Sequence, residues 1–217
     1  METKISNILK SRKVLIINYG MGNIKSLHAA FRYLGIKSEE SDKPDKIYNS
    51  NILILPGVGS FKKAMKNIKD KNIDEAIVSN LKKKNSSILG ICLGMQLMGK
   101  TSNEDGLSKG LNLIENNVRK FSFSDTKNNK IPHVGFNNLK FNSANKLFKG
   151  IKKSHDFYFN HSYRMLIEKF KGDYSFTVYG QKFLSSFAKD NIFGTQFHPE
   201  KSQSNGLKVL ENFINHT

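Results

Sequence analysis

Three stretches of this chain repeat one pattern: a short, continuously apolar run, a glycine-bearing turn, then apolar residues at helical spacing. In the first, Lys13-Val14-Leu15-Ile16-Ile17-Asn18 leads through Gly20-Met21-Gly22 to Ile24, Leu27, Ala30, Phe31 and Leu34, with Asn23 placed to cap the helix and Gly35 to end it. In the second, Ile52 to Leu55 is followed by Pro56-Gly57-Val58-Gly59. Two helical stretches come next, one carrying Ala64, Met65 and Ile68, the other Ile73, Ala76, Ile77 and Leu81. In the third, Ser87 to Ile91 passes through Cys92 into a helix beginning near Leu93. A strand apolar at every position is buried on both faces, and parallel strands need a crossover helix between them. The expected fold is therefore α/β, with a doubly wound, mostly parallel central sheet flanked by helices.

The second half reads differently. From about Leu111 the strands are expected to be shorter and helices scarcer, with β-rich stretches at 157–164, 174–179, 183–188 and 192–197. A last helix carries Leu207, Val209, Leu210, Phe213 and Ile214. The polar segment 122–129 is expected to be an exposed loop. No internal repeat and no Pro-, Gly- or Ser-rich linker divides the 217 residues, so this half is read as an antiparallel or mixed β region added to the same domain. Residues 1–12 form an N-terminal extension and 13–217 the domain.

Composition narrows the class. A single cysteine excludes a disulfide framework and a cysteine-rich zinc site, and no His/Cys/carboxylate cluster has metal-ligand spacing. No apolar run approaches the ~20 residues of a membrane helix, and the first twelve residues lack a signal-peptide core, so a cytoplasmic protein is expected. The net charge of +17 raises nucleic acid as a partner, yet only four of the 35 cationic side chains are arginine, and the lysines are spread along the chain. The densest block, Lys82-Lys83-Lys84, ends a helix, where cations complement the macrodipole. The charge reads as a solvated surface, with no nucleic-acid or membrane partner expected. Gly20-x-Gly22 followed by Lys25 lacks the third glycine of a dinucleotide fingerprint, and no P-loop is present, so no cofactor is expected.

Gly90-Ile91-Cys92-Leu93-Gly94 carries the chemistry. Glycine two residues before and after a cysteine at a strand-to-helix turn is the backbone logic of a nucleophile elbow, although a lone cysteine at such a turn is also ordinary core filling. A nucleophilic thiol needs a base, and the base an orienting group. Of six histidines, His28 and His216 read as solvated and His155 as surface. His198 ends the apolar run Phe193-Gly194-Thr195-Gln196-Phe197 and is followed by Pro199-Glu200. Residues two apart in extended chain share a face, so Glu200 can reach the imidazole. A surface His-x-Glu would look the same.

Together, Gly-Ile-Cys-Leu-Gly-Met-Gln at 90–96 and His-Pro-Glu at 198–200 resemble the Cys-His-Glu triad of class I glutamine amidotransferases. Asn18-Tyr19-Gly20-Met21-Gly22-Asn23, Pro56-Gly57-Val58-Gly59-Ser60-Phe61, Ile131-Pro132-His133-Val134-Gly135-Phe136-Asn137, Tyr158-Phe159-Asn160-His161-Ser162-Tyr163 and Gln196 to Ser202 follow in order. These blocks resemble the glutaminase subunits of imidazole glycerol phosphate synthases.

The resemblance implies that Cys92 attacks the glutamine carboxamide, that His198 moves the proton and that Glu200 holds the ring. It implies an oxyanion site at Leu93 N–H and the loop at Val58 and Gly59, and a glutamine pocket lined by Gly57, Gln96, His161, Ser162 and Tyr163. It further implies a heterodimer with a (β/α)8 cyclase subunit that uses the ammonia for histidine synthesis. Two departures stand out. Phe136 occupies a place where the family often has tryptophan, at the synthase interface, and 98–106 lacks the usual acidic pattern. Paralogues of these subunits supply ammonia to amidotransferases of cell-surface sugar biosynthesis, which is the first alternative. A catalytically idle module and a lysine-rich RNA-binding protein are the others.

Overall fold

The computed structural model describes residues 12–127, 129–141, 145–152, 155–168 and 170–216, so nearly all of the expected N-terminal extension lies outside the described residues. The three apolar runs are strands of one eight-stranded sheet: β1 (Lys13–Ile17), β3 (Ile52–Leu55) and β4 (Ser87–Ile91). Every residue of β3 and β4 is buried, as is all of β1 after Lys13, because helices cover both faces. The helical stretches are α1 (Ile24–Tyr33), α3 (Phe61–Asp70) and α4 (Ile73–Leu81), and the last helix, α6, spans Gln203–His216. Leu27, Ala30 and Phe31 of α1 and Val209, Leu210 and Phe213 of α6 fill the core on one face of the sheet. Ala64, Met65, Ile68 and Ile77 fill the other.

Two elements have no signature in the apolar pattern. Strand β2 (Lys37–Ser41) pairs in parallel only with β1 at the sheet edge, and α2 (Pro44–Asn49) follows it. An edge strand has one neighbour and need not be apolar, which is why Lys-Ser-Glu-Glu-Ser passes for a loop.

The second half extends the same sheet. Strand β14 (Ile192–Thr195) lies parallel to β4. Beyond it β13 (Gln181–Lys189), β12 (Asp173–Tyr179) and β9 (Lys140–Phe141) run antiparallel, giving the order β2-β1-β3-β4-β14-β13-β12-β9. The expectation of shorter strands here is corrected. β12 and β13 are the longest strands among the described residues, since an antiparallel hairpin closes with a tight turn at Gly180 and is not limited by a crossover helix. Two small sheets flank the main one: β8 (His133–Asn138) with β10 (Asp156–His161), and β5 (Thr101–Ser102), β6 (Ser108–Lys109), β7 (Val118–Lys120) and β11 (Tyr163–Met165).

Three local expectations change. Asn23 precedes α1, but its side chain makes no capping bond. His28 is half-buried rather than solvated, with Nδ1 2.7 Å from Ser38 Oγ and Nε2 3.5 Å from Glu40 Oε2, because β2 covers that flank of α1. Within the 122–129 segment Thr126 is fully buried, and buried Arg164 reaches Asp125 at 3.0 Å and the Lys120 carbonyl at 2.9 Å, pinning a turn that polarity alone marks as free.

Candidate active site

The site forms where β4 and β14 end side by side. Because these strands are parallel, with Ile91 opposite Thr195, the chain leaves both at the same edge of the sheet, where open α/β folds place their ligands. Cys92 follows Ile91 and its N–H donates to the Thr195 carbonyl at 2.7 Å, the last rung of that ladder. The chain then turns at once into α5 (Leu93–Leu97). Cys92 itself has φ 54° and ψ −110°, a left-handed conformation that costs a residue with a side chain about 1–3 kcal/mol.

The flanking glycines make this turn possible. A Cβ on Gly94 would lie 1.8 Å from the Leu55 carbonyl oxygen, and one on Gly90 would lie 2.7 Å from Met95 N. A Cβ on Gly57 would meet Gly94 N and Leu93 Cβ at 2.8 Å and the Tyr19 hydroxyl at 2.7 Å, so the Pro56–Gly59 loop is pressed against the start of α5. Tyr19, fully buried, donates its hydroxyl to the Pro56 carbonyl at 2.7 Å. Burial, and then the neighbouring Cys92 sulfur, raise that phenol far above its ordinary value, so it stays a donor.

His198 arrives from β14. Its N–H donates to the Tyr158 carbonyl at 2.9 Å, and Ser202 Oγ donates to the His198 carbonyl at 2.6 Å while accepting from Tyr158 N at 2.9 Å, so β10 fixes the backbone here. Pro199–Lys201 forms a single 3-10 turn that folds Glu200 back, and Glu200 Oε1 lies 2.9 Å from His198 Nδ1. Both side chains are almost completely buried. Burial alone would push the imidazole down. The neighbouring Cys92 sulfur and the Glu200 carboxylate, which lies 2.9 Å from Nδ1, outweigh it and push His198 up to about 10. The ring is therefore held as a cation between the sulfur and the carboxylate.

Of the other expected site residues, Gln96 and the Tyr163 carbonyl connect to Cys92 through Gln196. Gln96, on the second turn of α5, is buried and donates from Nε2 to the Tyr163 carbonyl at 2.8 Å and to Gln196 Oε1 at 2.9 Å. His161 is buried with both ring nitrogens engaged, Nδ1 2.8 Å from the Tyr163 carbonyl oxygen and Nε2 3.1 Å from His133 Nδ1. Burial, then His133, push His161 down to about 3, and burial pushes His133 down to about 4, so the pair is neutral. Leu93 is buried as the first residue of α5. Val58 is exposed at the tip of its loop, and Gly59 has φ +100°. Ser162 is partly exposed, and its carbonyl accepts from Phe121 N at 2.9 Å.

Three residues join the site that sequence reasoning left without a role. Gln196 Nε2 lies 3.7 Å from Cys92 Sγ, the Asn160 carbonyl lies 3.9 Å from the same sulfur, and Tyr19 holds the Pro56 loop. A buried amide within the apolar run Phe193–Phe197 is the one signal that marks Gln196. Across β10, Tyr158 stands opposite Phe136 and Asn160 opposite Val134. Phe136 and Val134 are both exposed, so an apolar surface backs the strand that touches His198 and Cys92. Among the described residues no group of three or more His, Cys, Asp or Glu could hold a metal, and no helix is long and apolar enough to cross a membrane.

The family model described as glutamine amidotransferase class-I matches residues 15–217. The chain is 44% identical over 203 residues to "Imidazole glycerol phosphate synthase subunit HisH 1" of Campylobacter jejuni, covering 93% of this chain and 98% of that one. It is 42% identical to "Imidazole glycerol phosphate synthase subunit HisH" of Sulfurimonas denitrificans, covering 92% and 96%. In shape it resembles the solved structure of PurLQS from Thermotoga maritima, with TM-score 0.72 at 17% identity, covering 94% of this chain and 98% of that chain. An elbow cysteine beside a carboxylate-bound histidine, in a sheet of this order, and a family match over nearly all of the chain agree: the protein belongs to the class-I glutamine amidotransferase family.

Proposed function

We propose that this protein hydrolyses the side-chain amide of glutamine to glutamate and ammonia, and that it does so as the glutaminase subunit of an imidazole glycerol phosphate synthase. The observation that carries the chemistry is Cys92 at the elbow beside His198, whose far nitrogen is held 2.9 Å from buried Glu200. In this reading the Cys92 thiolate attacks the carboxamide carbon, and the C=O electrons move onto oxygen. Leu93 N–H and the Val58–Gly59 segment hold that oxyanion. His198, as imidazolium, gives its proton to the departing nitrogen, and ammonia leaves as the carbonyl re-forms on a thioester. Water then attacks the thioester with neutral His198 taking its proton. The tetrahedral adduct then collapses with breakage of the C–S bond, the product leaves as glutamate after losing its carboxyl proton to water, and the proton on the ring stays there or passes to the freed sulfur.

Gly57, Gln96, His161, Ser162 and Tyr163 form the proposed glutamine pocket. Gly57, which has no side chain, lets the loop approach α5, and His161 orders the Tyr163 carbonyl rather than binding through its ring nitrogens. No cofactor is required. Free ammonia in neutral water is mostly ammonium and no nucleophile, so the product needs a direct receiver. The partner proposed is a (β/α)8 cyclase docked on the exposed Val134 and Phe136 surface in a cytoplasmic heterodimer; that the HisH relatives are named as subunits of a synthase supports a partner. The test is glutaminase turnover of the complex with Cys92→Ala, which should abolish it. Retained turnover would defeat the reading.

A second reading keeps the chemistry and changes the receiver to an amidotransferase of cell-surface sugars. It is favoured by Phe136, half-exposed on the docking strand where tryptophan is frequent in the family. Rescue of a histidine auxotroph lacking this subunit, with the cognate cyclase co-expressed, supports the first receiver. A soluble complex that fails to rescue supports the second.

A further inference from the structure

The hydrogen bonds around Cys92 have a direction, and a backbone atom sets it. The Tyr163 carbonyl can only accept. Gln96 stands 2.8 Å from it and must turn its amino end there, and the same Nε2 reaches Gln196 at 2.9 Å. Gln196 must then present its oxygen to Gln96, which leaves its own Nε2, a donor, facing Cys92 Sγ at 3.7 Å. The chain of polarity is closed: reversing Gln96 would set oxygen against oxygen, and reversing Gln196 alone would set nitrogen against nitrogen, in a region from which water is excluded, since both glutamines are buried. The same carbonyl takes the His161 Nδ1 proton at 2.8 Å. His161 Nε2 is then the acceptor from His133 Nδ1, and His133 Nε2 is left to accept from Asn137 Nδ2 at 3.3 Å. Two ordered branches thus meet at one backbone oxygen.

The sulfur sits between opposite influences. The Asn160 carbonyl, 3.9 Å away, accepts a proton from S–H and favours the thiol; the Gln196 amide donates and favours the thiolate. We infer that Gln196 is the residue that stabilises and aims the Cys92 thiolate, and that its orientation is imposed by Gln96 from the Tyr163 carbonyl. This rests on Cys92 being the nucleophile. The remaining ionisable groups that face the sulfur are His198, with Glu200 behind it on the same turn, and Tyr19 from the loop after β1. His161 and His133, from β10 and β8, stay neutral, so Gln196 supplies a donor without adding a charge.

Cys92 is the one cysteine of the chain, so iodoacetamide alkylation of the whole protein, followed against pH by mass, reads thiolate formation at a single site and without glutaminase turnover. Gln196→Met keeps the volume and removes the donor. A hydrogen bond to a charged group is worth enough to move the midpoint of the alkylation profile up by about one unit, which slows alkylation about tenfold at pH values below it. Gln196→Glu keeps the acceptor for Gln96 but turns an anionic oxygen toward the sulfur, and its midpoint should lie higher still. The order wild type, Gln196→Met, Gln196→Glu supports the inference. Superimposable profiles in folded variants overturn it, and so does loss of fold in both, which would make Gln196 a structural residue. If Cys92→Ala keeps glutaminase turnover, the fault lies in the choice of nucleophile. If Cys92→Ala is inactive and the Gln196 profiles are unchanged, it lies in the role given to Gln196.

Discussion

Gly94→Ala tests whether the elbow is built by close backbone approach. In the structure the added methyl carbon would lie 1.8 Å from the Leu55 carbonyl oxygen and 2.7 Å from Leu55 C. Restoring an ordinary contact of about 3.4 Å requires the start of α5 and the end of β3 to part by roughly 1.6 Å. Those segments carry Leu93 N–H and the chain entering Pro56–Gly59, the two halves of the proposed oxyanion site, so the variant separates the donors from one another as well as from the sulfur. Overpacking a buried contact costs about 1–3 kcal/mol, and a misplacement on the order of 1 Å costs about 10²-fold in rate. The expected outcome is an unfolding free energy from urea titration lowered by that amount, with a correspondingly lower midpoint, and a kcat, measured by glutamate release in the complex, reduced about 10²-fold, while Cys92 remains alkylatable. Gly150→Ala is the control. Gly150 has a positive φ, +78°, and its added carbon would meet only Lys208 Cε at 3.6 Å, so it should lose about 1–2 kcal/mol to backbone strain and leave kcat unchanged. A Gly94→Ala protein with wild-type midpoint and wild-type kcat would refute the close-approach argument.

Three further outcomes are expected. Glu200→Gln removes the carboxylate that helps to raise His198, so the imidazolium should deprotonate below its value of about 10; the alkaline limb of kcat/KM moves to lower pH, and kcat falls about 10²- to 10⁴-fold. His133 and His161 are held neutral, with folded values near 4 and 3 below the usual imidazole value. Between about pH 6.5 and 4 the unfolded chain binds more protons, so their stability contribution is full above that window and lost as the pH falls through it. Urea midpoints at pH 7, 5.5 and 4.5 should show the decline, and His133→Phe should flatten it. Asn80, fully buried, donates to the carbonyls of Ile47, Tyr48 and Ser50, and Asn80→Ala should cost about 1–3 kcal/mol of unfolding free energy with kcat/KM unchanged, because these segments precede β3 and β4 whereas the site lies where β4 ends.

The fold was legible wherever burial left a mark on residue type. Val14–Ile17, Ile52–Leu55 and Ser87–Ile91 lie under helices on both faces and are apolar throughout, so their strands and the parallel arrangement follow from the chain itself. Lys37–Ser41 and Pro44–Asn49 left no such mark, since an edge strand is held by backbone bonds to one neighbour and its side chains are free to be polar. Nor does polarity reveal the turn around Asp125, which depends on Arg164, distant in sequence and buried against Phe121.

The sequence by itself marked the elbow: Gly90, whose added Cβ would meet Met95 N and Gly94, is a local requirement of a tight strand-to-helix turn, and His198-Pro199-Glu200 is a local requirement for a base with its carboxylate, whereas Gly94 is required by the neighbouring strand through the Leu55 carbonyl. Only the tertiary structure decided that these two segments meet. More than 100 residues lie between them, and what joins them is the parallel pairing of β14 with β4, which brings both strand ends to one edge and leaves Cys92 bonded to Thr195. The direction of each amide and imidazole around the sulfur was decided at the same level. It depends on a backbone carbonyl at Tyr163 whose position follows from sheet pairing rather than from the identity of its own side chain.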